Sequence, residues 1–240
     1  MGSTSLSGNT MSGYSVYYFY SSGTPDTAPP AVLATNPGSG QSATVPINTQ
    51  LQVLFDRSVQ PSSLSQITLT GGPAITLTRS LTNGDQTALL VPNAALAPNT
   101  TYTLTIQGVK SISGNAMAST VTVVFTTGTG AILVNPSIIS ITPLNGATGS
   151  SASVHPAVVF SGPVNPVTAY TNVTLRLTNT NAVVPATLTY SSDYKTVTIN
   201  PTTPLAAATQ YTVYVGGSNI TDEAGNSLNQ STTTYTFTTQ

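Results

Sequence analysis

Leu96-Ala-Pro-Asn-Thr-Thr-Tyr-Thr-Leu104 and Leu205-Ala-Ala-Ala-Thr-Gln-Tyr-Thr-Val213 are one phrase written twice in a chain of 240 residues. Working outward, the correspondence continues on both sides. Upstream, Leu51-Gln-Val-Leu-Phe55 leads to Val59 and Pro61, as Ala157-Val-Val-Phe160 leads to Val164 and Pro166. Val91-Pro92 is answered by Asn200-Pro201. Downstream, Gly114-Asn115 returns as Gly225-Asn226, and Val124-Phe-Thr-Thr127 as Thr236-Phe-Thr-Thr239. The offset drifts from about 105 to about 112, as a few loop insertions between matched strands would produce. With a tail of about 27 residues set aside, each copy has about 106 residues.

Within each copy apolar residues recur every second position. Gln50–Phe55, Ile75–Leu81, Thr101–Gln107 and Thr120–Thr126 alternate apolar side chains with Thr, Ser or Gln, as do Thr171–Thr178, Val197–Ile199 and Tyr211–Val215. A period of two places one set of side chains in a core and the other in water, and β-branched Thr suits the wet face of a strand. Turn chemistry at Asn36-Pro-Gly38, Asn83-Gly-Asp85, Gly114-Asn115, Gly216-Gly217 and Gly225-Asn226 separates these runs, and no window has a helical period. The expected fold is all-β: two tandem immunoglobulin-like antiparallel sandwiches over residues 28–129 and 130–240, linked near Gly128–Pro136, after a tail over residues 1–27.

Composition removes several functions. Charged residues make up 5% of the chain, five basic and six acidic, while Ser and Thr supply roughly 30%. Five cations cannot form the stripe that neutralises phosphates, so nucleic acid is excluded as a partner. No apolar run is long enough for a membrane-spanning helix, and the N-terminus has neither the basic nor the apolar segment of a signal peptide. A mature form, extracellular or at the cell surface, is expected. The absence of cysteine excludes disulfides, thiolate metal sites and thiol nucleophiles.

The copies resemble bacterial Ig-like domains of the type found in S-layer and other bacterial surface proteins. The resemblance rests on Asp26-Thr-Ala-Pro-Pro30 and Asn36-Pro37, then Val45-Pro-Ile-Asn-Thr49, Leu54-Phe-Asp56 and Leu96–Tyr102, closing with Gly114-Asn115 and Phe125-Thr-Thr127. It extends over nearly all of residues 26–240. The second copy departs from the pattern at Ser161-Gly-Pro163 and lacks the Val-Pro-Ile-Asn run. The resemblance implies a spacer, stalk or adhesive module without catalysis and without a cofactor.

Candidate chemistry is sparse. His155, the only histidine, precedes Pro156 and has no second histidine or cysteine with which to share a metal or activate a serine, so no catalytic residue is assigned. Asp222 and Glu223, with Asn226, form the one cluster of oxygens suited to Ca²⁺, but the matching loop Ser111-Ile-Ser-Gly-Asn115 has no acid, and a solvated turn is the expected reading. Asn99, Asn172, Asn219 and Asn229 stand in the Asn-X-Ser/Thr pattern of glycosylation acceptors.

The tail reads Tyr-Ser-Val-Tyr-Tyr-Phe-Tyr over residues 14–20, which places five of sixteen aromatics in seven positions. Five rings represent roughly 750 to 1,250 Å² at about 150 to 250 Å² each, more than the patch of about 300 to 600 Å² that a monomer exposes. The segment is expected to be covered. Tyr14, Val16, Tyr17, Tyr18, Phe19 and Tyr20 read as an edge strand within their own chain, as the last strand of a preceding domain, or as an assembly strand that enters a neighbouring subunit. Repeated head to tail, strand entry makes a filament. The expected function is therefore a non-enzymatic extracellular structural protein, a filament or surface-layer subunit whose partner is itself. The alternative is an adhesive or carbohydrate-binding module of a larger cell-surface protein, with Tyr170, Tyr190 or Tyr194 as exposed platforms for a surface glycan. With so few titratable groups, melting is expected to change little between about pH 4 and pH 9.

Overall fold

The computed structural model describes residues 26–240. The aromatic assembly strand expected at Tyr14–Tyr20 lies outside the described residues. The first sandwich contains β1 (Val32–Asn36), β2 (Leu51–Phe55), β3 (Ile67–Thr70), β4 (Leu77–Thr82), β5 (Thr87–Pro92), β6 (Thr101–Ile106) and β7 (Val121–Thr126). One sheet runs β1-β2-β5-β4 and the facing sheet β3-β6-β7, the four-on-three arrangement of a constant-type immunoglobulin domain.

The second sandwich repeats it with β8 (Ile138–Thr142), β9 (Ala147–Ser150), β10 (Ala157–Phe160), α1 (Pro166–Asn172), β11 (Val173–Leu177), β12 (Ala186–Tyr190), β13 (Thr196–Pro201), β14 (Gln210–Val215) and β15 (Thr233–Thr239). Its sheets run β8-β10-β13-β12 and β9-β15-β14-β11. β9 pairs parallel to β15, and in the first sandwich the same place is held by a single parallel bridge from Val45 to Thr127.

Alternation sets the register. Tyr102, Leu104 and Ile106 face the core while Thr101 is exposed, and β6 pairs with β7 so that Tyr102 lies opposite Phe125 and Leu104 opposite Val123. In the second sandwich Tyr211, Val213 and Val215 are buried, with Tyr211 opposite Phe237. The two cores share no residue.

The repeated phrase has a local cause. The Tyr102 hydroxyl accepts a hydrogen bond from the Ala97 N–H at 2.9 Å, and the Thr127 hydroxyl donates to the Ala97 carbonyl at 2.7 Å. Tyr211 and Thr239 treat Ala206 identically, at 2.8 and 2.6 Å. Each tyrosine stacks on the phenylalanine of the closing strand, with centroids 5.8 Å apart in both copies. This is the tyrosine corner of immunoglobulin-type sandwiches, which satisfies a turn that no strand reaches.

Helix α1 differs from the sequence reading. The strand expected from Thr171 begins at Val173, because Pro166–Asn172 forms a helix. Seven residues are too few to display a 3.6-residue period. The helix is set instead by its start, where the Asn165 side chain accepts the Val167 N–H at 2.9 Å and Pro166 occupies the first turn. No helix among the described residues is long and apolar enough to cross a membrane.

Candidate functional site at the junction between the sandwiches

The loop Thr221–Asn226 closes the turn between β14 and β15 and is tied by Asp222. Its carboxylate accepts the N–H groups of Ala224 at 2.9 Å and Asn226 at 2.8 Å, and the Asn226 side-chain amide at 2.8 Å. Burial raises the Asp222 pKa above its ordinary value, and these hydrogen bonds oppose the rise. With the turn fixed, Glu223 projects into the first sandwich.

Four residues of the first sandwich converge on Glu223. Its carbonyl accepts the Gln50 N–H at 2.9 Å, the Thr49 hydroxyl at 3.0 Å and the Asn36 side-chain amide at 3.1 Å. Its carboxyl Oε1 accepts the Gln41 amide at 2.5 Å, and Gln41 is itself held by the Gly38 N–H at 2.8 Å. Glu223 is 0% exposed, and among the described residues neither its Oε2 nor Asn36 Oδ1 has a hydrogen-bond partner. Burial pushes the Glu223 pKa up to about 8; the charge of Asp222 adds to the rise and the Gln41 bond opposes it. A neutral carboxyl suits a position where one oxygen has no donor.

Two glycines let the sandwiches close on this contact. A Cβ on Gly38 would lie 1.9 Å from the Tyr194 hydroxyl, and one on Gly225, at φ +91°, would lie 2.5 Å from the Gln50 amide nitrogen. The linker is held from both sides: the Ile132 carbonyl accepts Asn48 Nδ2 at 2.9 Å and Asn226 Nδ2 at 3.2 Å.

The expectation of a solvated turn at Asp222–Asn226 is corrected here, because both acids are buried at a domain contact. Nor do the three oxygen donors considered for Ca²⁺ converge. Asp222 faces its own turn, Glu223 faces Gln41, and Asn226 spends its amide on Asp222 and the linker. The expectation of flat stability between about pH 4 and pH 9 also changes, since it treats every acid as hydrated and Glu223 is not.

The equivalent loop of the first sandwich is built differently. Ser111 bridges Val59 as Asp222 bridges Val164, so Ile112 occupies the position of Glu223 and is 66% exposed.

Beside the clamp lies a cleft of about 520 Å³ walled by Leu33–Thr35 and Gly38 of the first sandwich and by α1, β11 and residues 183–190 of the second. Among the described residues no charged side chain lines it. Tyr170, Tyr190 and Tyr194, dispersed in sequence, meet there. Only Tyr170, at 43%, is exposed as expected. Tyr190 and Tyr194 stack on each other with centroids 5.3 Å apart, and burial raises the pKa of both phenols.

The remaining sequence candidates are dispersed. His155 is exposed at a shallow hollow formed with Pro201–Pro204. Asn99, Asn219 and Asn229 are exposed, whereas Asn172 is half-buried and its side-chain amide donates to the Thr168 carbonyl at 2.8 Å. Sequence reasoning missed Asn36, Gln41, Thr49 and Gln50 as a receptor for Glu223. The one available signal was the acid pair present in one loop and absent from its repeat.

The family of bacterial Ig-like domains matches the chain twice, over residues 26–127 and 134–239. Among solved structures, the N-terminal part of the bacterial S-layer protein SbsC is 16% identical, covering 88% of this chain and 44% of that one, with a TM-score of 0.32. The titin domains Z1Z2, solved in complex with telethonin, are 15% identical over 89% of this chain and 98% of theirs, with a TM-score of 0.27. The LD transpeptidase LdtMt1, solved in complex with imipenem, is 16% identical over 68% of this chain and 61% of that one, with a TM-score of 0.31. The chain thus spans less than half of the S-layer protein segment it matches. No curated protein sequence matches it.

Proposed function

The chain belongs to the bacterial Ig-like domain family, and on that premise we propose that it is a non-enzymatic structural protein of the bacterial cell surface. Its two sandwiches act as one stiff unit, and the segment Tyr14–Tyr20 joins that unit to a neighbouring copy as a filament or surface-layer subunit. The clamp on Glu223 carries this reading. Four hydrogen bonds from the first sandwich end on one buried residue of the second, which resists bending where a plain linker would swivel. A Ser- and Thr-rich surface hydrates such a unit with few charges. The aromatic segment supplies the apolar surface that an assembly needs to hide.

Light scattering and negative-stain microscopy on the full chain and on a chain lacking residues 1–25 test the proposal. Filaments or large oligomers that vanish on truncation are the expected result; a monomer in both samples overturns it. One observation favours a second reading, an adhesive or carbohydrate-binding module: Tyr170, Tyr190 and Tyr194 share one cleft. Glycan binding lost in Tyr170→Ala would support that reading, and a blank glycan array would dismiss it.

A further inference from the structure

We propose that the cleft between the sandwiches is the receptor for the aromatic segment Tyr14–Tyr20 of a second copy of the chain. This rests on the assembly reading above and names the surface that receives the strand.

Backbone geometry is the first argument. Two walls of the cleft, β1 and β12, are the last strands of their sheets among the described residues. Such edges present unpaired N–H and C=O groups, the template for strand addition. The third strand at the cleft, β11, is already covered on that side, where the Val184 N–H donates to the Leu175 carbonyl at 2.8 Å. Since α1 lies against β1, an incoming strand has β12 to pair with.

Chemistry is the second. Among the described residues the cleft is lined without a charge, and Leu33, Tyr170 and Val183 at its rim are 42%, 43% and 58% exposed. Residues 1–25 also contain no charged residue, and their five aromatics fall within residues 14–20. As a strand the segment would turn Tyr14, Val16, Tyr18 and Tyr20 to one side and Tyr17 and Phe19 to the other, so one face can enter an apolar slot while the backbone pairs at its edge. About 520 Å³ is within the range of roughly 300 to 1,000 Å³ of pockets that enclose ligands.

One simple intramolecular route, a hairpin onto β1, would not fill the cleft. A turn at Ser21-Ser-Gly-Thr-Pro25 would bring Tyr20 beside Asp26 and Tyr14 beside Val32. That hairpin stops short of the cleft, whose β1 wall begins at Leu33. The aromatic residues of a second copy have no such tether.

The chain has no cysteine, so introduced thiols report proximity cleanly. Ser15→Cys and Val183→Cys, prepared separately in the full-length protein and mixed under mild oxidation, should form a disulfide-linked heterodimer. A Ser65→Cys control in place of Val183→Cys should not. Val183→Arg, at an exposed rim position, should raise the concentration needed for assembly at least tenfold with an unchanged far-ultraviolet spectrum. Oligomers that depend on residues 1–25 but form no Ser15–Val183 cross-link and ignore Val183→Arg would overturn the cleft as receptor while leaving the assembly reading intact. Absence of any truncation-sensitive oligomer removes both. A double-cysteine chain that closes only on itself at every concentration would overturn the second copy as the source.

Discussion

Glu223 makes the junction sensitive to pH in a calculable direction. In the closed junction its carboxyl is held up to about 8, whereas a hydrated glutamate titrates near 4.5. Between those values the closed state keeps a proton that the open or unfolded chain has released. Closure therefore weakens as pH rises through that window, by about 1.4 kcal/mol per unit. At pH 8 the accumulated loss is about 4 kcal/mol, and above it both states are ionised and the loss levels off. Opening hydrates the carboxylate, so the loss in thermal stability is capped by whatever holds the junction closed.

Glu223→Gln removes the titration and keeps an acceptor for Gln41. At pH 5, where the native carboxyl is protonated, the two proteins should melt within a few degrees of each other. At pH 8 the variant should melt roughly 10 °C higher if closure is coupled to melting, taking about 2 to 4 °C per kcal/mol for a cooperative unit of this size. If the junction opens first, the difference appears instead as a larger radius of gyration for the native protein by small-angle scattering. Parallel melting temperatures and parallel radii for native and variant from pH 5 to pH 9 would refute the reasoning.

Tyr102→Phe and Tyr211→Phe each leave a turn N–H, of Ala97 or Ala206, without its acceptor. Each should cost about 1 to 2 kcal/mol in its own sandwich, read as a fall in denaturation midpoint, and the two losses should add because the cores are separate. No change in midpoint would mean that the corners are decorative. Gly38→Ala places a methyl in the Tyr194 ring, so it should enlarge the protein in small-angle scattering at pH 5 without melting the first sandwich. Tyr194→Ala in the same chain should restore the compact dimensions, and failure of that rescue would place the strain elsewhere.

The features legible in the sequence are those whose partners lie nearby in the chain or on the paired strand. The corner tyrosines bond residues five positions upstream, and the two-residue period announces each strand and its buried face. Helix α1 escaped because it is shorter than the pattern that identifies a helix, although Asn165-Pro166 marks its start. The clamp escaped for a different reason. Gln41 and Asn36 lie 182 and 187 positions from Glu223, and in a chain coated with hydroxyls and amides nothing distinguishes them from solvated neighbours. Counting six acids suggested a protein indifferent to pH; where one of them sits reverses that conclusion.

On the assembly reading proposed above, the clamp also constrains how copies would join. Its receptor surface uses the Thr49 hydroxyl, and with Phe55 matched to Phe160 and Val59 to Val164 the position of Thr49 is held by Val154, which has no hydroxyl to give. Asn36, the last residue of β1, is replaced at the end of β8 by Thr142, which lacks the amide. On the other side, the projecting acid is replaced in the first sandwich by Ile112. The free end of the second sandwich therefore lacks two of the donors, and the free end of the first lacks the carboxyl that Gln41 holds. Copies stacked end to end would set an isoleucine where the buried acid sits and would lose these donors, so the joint inside the chain would not be reproduced between chains. On that reading, copies would have to draw on other surfaces, and the aromatic segment and the cleft are alike in that neither the segment nor, among the described residues, the cleft lining carries a charged side chain.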